Sequence, residues 1–191
     1  MSGLWSAGSI VCACPDRTEA PGPARVETVE NSTFSSSKAQ KYEELDAQVK
    51  AVLSEEDDPL VWMSTLACLI REIFGFLWAG FYRVRGRELL VGPYQGTLGC
   101  LRISFDRGVC GACARGGETV IVEDVHAFPG HIACDSRSRS EIVVPVFDRA
   151  GRLRAVLDVD SAETGTFDVV DRQGLERVVS RMRGLQWTQP N

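Results

Sequence analysis

From Tyr42 onward, apolar residues recur at three- and four-residue steps: Tyr42, Leu45, Val49, Val52 and Leu53. That spacing predicts an amphipathic helix. Asp57-Asp58-Pro59 then supplies an N-cap and a proline suited to a first helical turn. A second helix is expected to follow, with Leu60, Met63, Leu66, Ala67, Ile70 and Phe74 on its buried face. Cys68 belongs to this apolar run and is read as a core residue. After Gly75 the period drops to two. Trp78-Ala79-Gly80-Phe81-Tyr82-Arg83-Val84 reads as a strand, and Arg85-Gly86-Arg87 turns it into a partner that begins at Glu88.

Further along, Leu101-Arg102-Ile103 reads as a short strand. Residues 108–117 read as a turn that opens a short helix and ends at Gly116-Gly117. Thr119-Val120-Ile121-Val122 is another strand, and a polar loop after it carries both histidines, His126 and His131. Residues 141–146 and 153–160 form a hairpin around Arg149-Ala150-Gly151, and residues 168–185 close the chain as an amphipathic helix. Strands paired in hairpins, with helices toward the ends, predict an α+β fold with a largely antiparallel sheet. Residues 1–39, punctuated by Pro15, Pro21, Gly22 and Pro23, read as a poorly ordered extension in which Cys12-Ala13-Cys14 are surface thiols.

Composition narrows the function classes. A net charge of -5 offers no basic excess for neutralising phosphates, so neither nucleic acid nor an anionic membrane is the expected partner. No apolar stretch is long enough to span a bilayer. The start lacks the basic and apolar regions of a secretory signal, which points to a reducing, cytoplasmic compartment. Seven cysteines is an odd number, and in such a compartment clustered cysteines are catalytic or metal-binding more often than bridged.

Three constellations could carry chemistry. Cys110-x2-Cys113 and His131-x2-Cys134, with seventeen residues between the pairs, have spacing compatible with zinc. Cys110-Gly111-Ala112-Cys113 is also a CxxC at a helix start, where a thiol pKa is lowered, but no βαβ unit surrounds it. The third constellation is a cysteine nucleophile with carboxylates. Cys100, Cys110 and Cys134 lie in glycine-containing or polar surroundings, Glu141 opens a strand, and Asp158 and Asp160 stand two apart on another. Their spacing puts both aspartates on one strand face, where mutual repulsion resists ionisation. Such a pair either binds an ammonium group or holds a proton for delivery, unless it is a pair of solvated edge charges. Trp78 and Tyr82 also share a face, as core or as an apolar wall for a methyl or sulfur group.

Several blocks taken together are more specific. Trp78-Ala79-Gly80-Phe81-Tyr82, Gly92-Pro93-Tyr94-Gln95-Gly96, Gly108-Val109-Cys110-Gly111, Glu123-Asp124-Val125-His126, His131-Ile132-Ala133-Cys134-Asp135, Ser140-Glu141-Ile142-Val143-Val144-Pro145 and Val156-Leu157-Asp158-Val159-Asp160-Ser161 resemble, in order, the free methionine-R-sulfoxide reductases, a GAF-domain family. The resemblance runs from about residue 42 to 187, which makes residues 40–191 the GAF domain. It implies a six-stranded antiparallel sheet with helices on one side and a loop-covered ligand pocket on the other.

The implied activity is thiol-dependent reduction of free L-methionine-(R)-sulfoxide, as an oxidative-stress repair reaction. The implied roles are Cys134 as nucleophile, Cys100 as resolving thiol through a Cys134–Cys100 disulfide, and Cys110 as an assisting or substituting thiol. Glu141, Asp158 and Asp160 become proton donor and ammonium partners, and Trp78 and Tyr82 the aromatic wall. Thioredoxin as external reductant, no metal or organic cofactor, and a homodimer are expected with them. Two residues depart from the family pattern: Cys113 is an additional cysteine, and Gly99 replaces a slightly larger residue. Two other readings stand beside this one. They are a non-catalytic GAF sensor for a small molecule, and a zinc protein using Cys110, Cys113, His131 and Cys134.

Overall fold

The computed structural model describes residues 37–132 and 134–187. The reading of the extension and of Cys12 and Cys14 lies outside them. The first helix, α1 (Lys38–Leu53), starts from a capping box in which Ser37 and Gln40 satisfy each other's backbone N–H. Its helical turn therefore begins two residues before the expected domain boundary. Helix α2 (Pro59–Phe74) is capped by Asp58, whose side chain accepts from the Leu60 N–H, with Pro59 in the first turn.

Six strands follow: β1 (Trp78–Arg85), β2 (Glu88–Gln95), β3 (Arg102–Ser104), β4 (Val120–Val122), β5 (Ser140–Phe147) and β6 (Leu153–Ser161). They form one sheet in the order β3-β2-β1-β6-β5-β4, antiparallel at every pairing. Helix α3 (Gly108–Gly116) lies between β3 and β4, and α4 (Val169–Ser180) closes the chain, continued by a short 3₁₀ turn over Arg181–Gly184. The β1–β2 ladder carries one extra residue on β2 opposite Phe81, and Pro93 falls at that bulge, where a missing N–H costs least.

Alternation divides the sheet into two faces. Ala79, Phe81, Ile142, Val144, Val146, Ala155, Leu157 and Val159 join a core built with α1, α2 and α4. Trp78, Tyr82, Val143 and Val156 join a second core with α3, through Val109, Cys110, Cys113 and Ala114. The expected α+β architecture, with helices packed on one side and a pocket on the other, is the observed one. Three side chains differ from expectation. Val52 and Leu60, read as buried, are 63% and 54% exposed, and Cys68, read as core, is exposed. Leu60, Ser64 and Cys68 stand four residues apart and share the outer stripe of α2, away from the sheet.

Candidate active site

The sheet register sets the site. Trp78 on β1 stands opposite Asp160 on β6, and Asp160 stands opposite Glu141 on β5. One row along, Gly80, Asp158 and Val143 stand in line. Opposed residues share a face, so the three carboxyls and the aromatic side chains project together on the side away from α1, α2 and α4. Gly80 has no alternative in this row. A Cβ there would stand 2.2 Å from Tyr94 Cβ and 2.6 Å from the Trp78 ring. Its absence lets Tyr94 stack on Trp78 at 5.2 Å between ring centroids, while Tyr82 stacks at 5.8 Å.

These groups line a pocket with about 520 Å³ of space free of protein atoms, which opens to solvent. Glu141, Asp158 and Asp160 line it with Trp78, Tyr82, Cys110, His131 and Cys134. The loop after β2 closes over it. Trp78 donates its indole N–H to the Thr97 carbonyl at 3.0 Å, and the Thr97 hydroxyl donates to Asp135 at 2.5 Å. Asp135 is also held by Arg137 at 2.7 Å, and that hydrogen bond pulls its carboxyl well below the usual range. Cys100 in this loop and Cys134 next to Asp135 form a disulfide with Cα atoms 5.5 Å apart. Cys134 is exposed and Cys100 half-buried, so the bridge lies at the pocket rim.

Electrostatics at the floor differ from those at the rim. Among the described residues, no lysine or arginine lines the pocket. Glu141 and Asp158 are both buried, and burial pushes both carboxyls well above their ordinary values, with neighbouring carboxylates adding to the rise. Two such carboxyls side by side resist ionising together, so the pair keeps a proton more readily than separate carboxylates would. Asp160 is raised to about 6, chiefly by burial, and Ser138 opposes the shift by hydrogen bonding to it. Asp158 Oδ1 is buried without a hydrogen-bond partner. Cys110 Sγ donates to Glu141 Oε1 at 3.8 Å, and burial holds its thiol well above the ordinary range. His131 is pushed down by burial and by His126, whose ring lies at 6.4 Å.

Seven of the eight site residues singled out from sequence, all but Cys100, therefore line one pocket, although the chain spreads them over β1, α3, β5, β6 and the loop that carries Cys134. Cys100 is the exception to the lining set and joins it through its bond to Cys134. The four proposed zinc ligands do not assemble: Cys134 is bonded to Cys100, and Cys113 lies behind the pocket lined by the other three. Cys110 and Cys113 are both free thiols, one helical turn apart. Sequence reasoning passed over Thr97, Ser138 and the third ring, Tyr94. Only Tyr94 carried a signal, through its place beside Pro93 at the strand bulge.

Comparison with known proteins places this geometry. A GAF domain model matches residues 63–182. GAF domain-containing protein A of Dictyostelium discoideum is 41% identical over 144 residues, covering 75% of this chain and 90% of that protein. The free methionine-R-sulfoxide reductase of Escherichia coli K12 is 38% identical over 146 residues, covering 76% of this chain and 88% of the other. The chain belongs to the GAF-domain free methionine-R-sulfoxide reductases. A solved reductase of this family from Neisseria meningitidis, in complex with its substrate, superposes with a TM-score of 0.75 at 44% identity. The superposition covers 78% of this chain and 89% of that one.

Proposed function

We propose that this protein reduces free L-methionine-(R)-sulfoxide to methionine. The observation that carries the reading is the Cys100–Cys134 disulfide at the rim of a pocket floored by three carboxyls and walled by Trp78 and Tyr82. The pocket offers each part of the substrate a partner. The rings suit the methyl group and sulfur. The unpartnered Asp158 Oδ1 and the adjacent Asp160 suit the ammonium group, which a peptide-linked methionine lacks.

In the reduced enzyme the Cys134 thiolate attacks the sulfoxide sulfur. A carboxyl of the Glu141–Asp158 pair, kept protonated by burial, delivers a proton to the oxygen. Methionine leaves and the oxygen stays on Cys134 as a sulfenic acid. The Cys100 thiol condenses with it, releasing water and forming the disulfide seen here. A dithiol reductant of the thioredoxin class then exchanges with this bridge, taking up the oxidation and restoring both thiols. Cys110 assists as a neutral donor to Glu141. The chemistry asks for no metal or organic cofactor. The reading places the enzyme in the cytoplasm, as a homodimer. No helix among the described residues is long and apolar enough to cross a membrane.

The test is methionine release from both sulfoxide epimers, free and peptide-linked. Activity is expected on the free R epimer alone. Cys134→Ser should lower it at least ~1,000-fold, and reduction near the parent rate in that variant would overturn the nucleophile assignment. Cys100→Ser should keep one stoichiometric turnover and lose thioredoxin-driven recycling. Full recycling would move the resolving role to Cys110.

A further inference from the structure

Cys110, Glu141 and Asp158 do more than face a substrate. One ligand atom from each lies within 4.8 Å of the other two, and all three residues are buried. The Cys110 Sγ to Glu141 Oε1 distance is 3.8 Å. In a tetrahedral zinc site with Zn–S about 2.3 Å and Zn–O about 2.1 Å, sulfur and oxygen ligands stand about 3.6 Å apart. The pair is therefore already near ligand separation. Asp158 Oδ1, buried and without a hydrogen-bond partner, is an independent sign of an unmet cation or donor at the same place. The other titratable groups lining the pocket are Tyr82, Asp160, Asp135, His131 and, in the reduced enzyme, Cys134, with Cys113 one turn along α3, so among the described residues no fixed cation competes there.

We propose that the reduced enzyme binds one thiophilic divalent cation, of which zinc is the biological example, through Cys110 Sγ and one oxygen each of Glu141 and Asp158. One thiolate and two carboxylates make a donor set that favours zinc, cobalt or cadmium over calcium or magnesium. The step is ligand exchange with no redox change. The Cys110 thiol proton and the proton held on the carboxyl pair leave to solvent as the metal–sulfur and metal–oxygen bonds form. The ion is an inhibitor rather than a cofactor, because it occupies the acids that meet the substrate. That inhibitory part rests on the reductase reading, and the binding part does not.

Cobalt titration of the full chain tests the site, with Cys12, Cys14 and Cys68 changed to serine to silence other thiols and the enzyme reduced by a phosphine. One equivalent of cobalt should give a thiolate-to-metal charge-transfer band that zinc displaces. Cys110→Ser should abolish the band and weaken zinc binding at least ~100-fold. Glu141→Gln should weaken it with the fold intact by circular dichroism. The double variant Cys100→Ser/Cys134→Ser should keep both band and affinity. No band, a band that survives Cys110→Ser, or one lost with the redox pair overturns the site. In a Cys134→Ser background, free methionine sulfoxide should raise the apparent zinc dissociation constant; an unchanged value overturns the inhibitory part. If the metal-free parent fails to reduce methionine sulfoxide, the reductase reading falls while the cobalt result stands on its own.

Discussion

Two buried aspartates on opposite faces of one sheet behave in opposite ways. On the helix face, Asp171 of α4 has its side chain wholly buried and fully partnered. It accepts from Lys38 Nζ at 2.6 Å, from the Tyr42 hydroxyl at 2.9 Å and from the Asp168 N–H at 2.8 Å. These bonds tie α1 to α4. On the pocket face, Asp158 is 6% exposed, one of its oxygens has no partner, and its near neighbours are Glu141 and Cys110 rather than a cation. A buried anion is tolerable when it is paired, and otherwise takes up a proton. Asp171 is scaffold by that test. Asp158 is a group kept ready for something the protein does not itself supply.

The contrast fails or holds by measurement. The largest effect is expected from Asp158→Asn, which should cut reductase activity about 1,000-fold while leaving the melting temperature unchanged or raised. A stability loss matching that of an Asp171 variant would erase the distinction. Asp171→Asn should do the reverse, costing about 3 kcal/mol of stability in denaturant unfolding while folded enzyme keeps its turnover. Gly80→Ala comes next. Its new Cβ would drive Tyr94 and Trp78 apart, for about 2 kcal/mol of stability and a raised KM. A variant as stable as the parent would show that the rings can give way.

The smallest effect is a pH dependence. Asp160 has an ordinary value of 3.8 and is raised to about 6 in the folded protein, chiefly by burial. Between those values the folded state holds a proton that the unfolded chain has released. The stability this contributes is complete below the lower value and is lost as pH rises through the upper one. Asp160→Asn should therefore flatten the fall in melting temperature across that window. An unaltered slope would assign the titration to another group.

Much of this was legible in the chain. Period two marks β1, β5 and β6, and the two-residue spacing of Asp158 and Asp160 puts them on one face. Turn chemistry gave the α2 cap at Asp58-Pro59 and the end of α3 at Gly117. Cys68 shows how a residue-type habit can mislead. Cysteine is commonly buried, but Cys68 stands in the row Leu60, Ser64, Cys68, which faces outward, and the apolar Leu60 draws that row toward the buried face when it is read from sequence. The sorting of the carboxyls was less accessible. Asp171 and Asp158 both sit among apolar neighbours, and only tertiary pairing tells which one finds Lys38. The Thr97–Asp135 latch also joins loops that the chain keeps 38 residues apart.

The strand order has a consequence for how the protein is made. The central ladder pairs the first strand with the last, setting Trp78 against Asp160 across most of the sheet-forming chain. A ribosome that has released β1 and β2 has made an open edge, and nothing can close it until β6 emerges. Every earlier product therefore carries thiols without a pocket to govern them. The pocket floor, which takes Asp158 and Asp160 from β6, cannot form before that strand does.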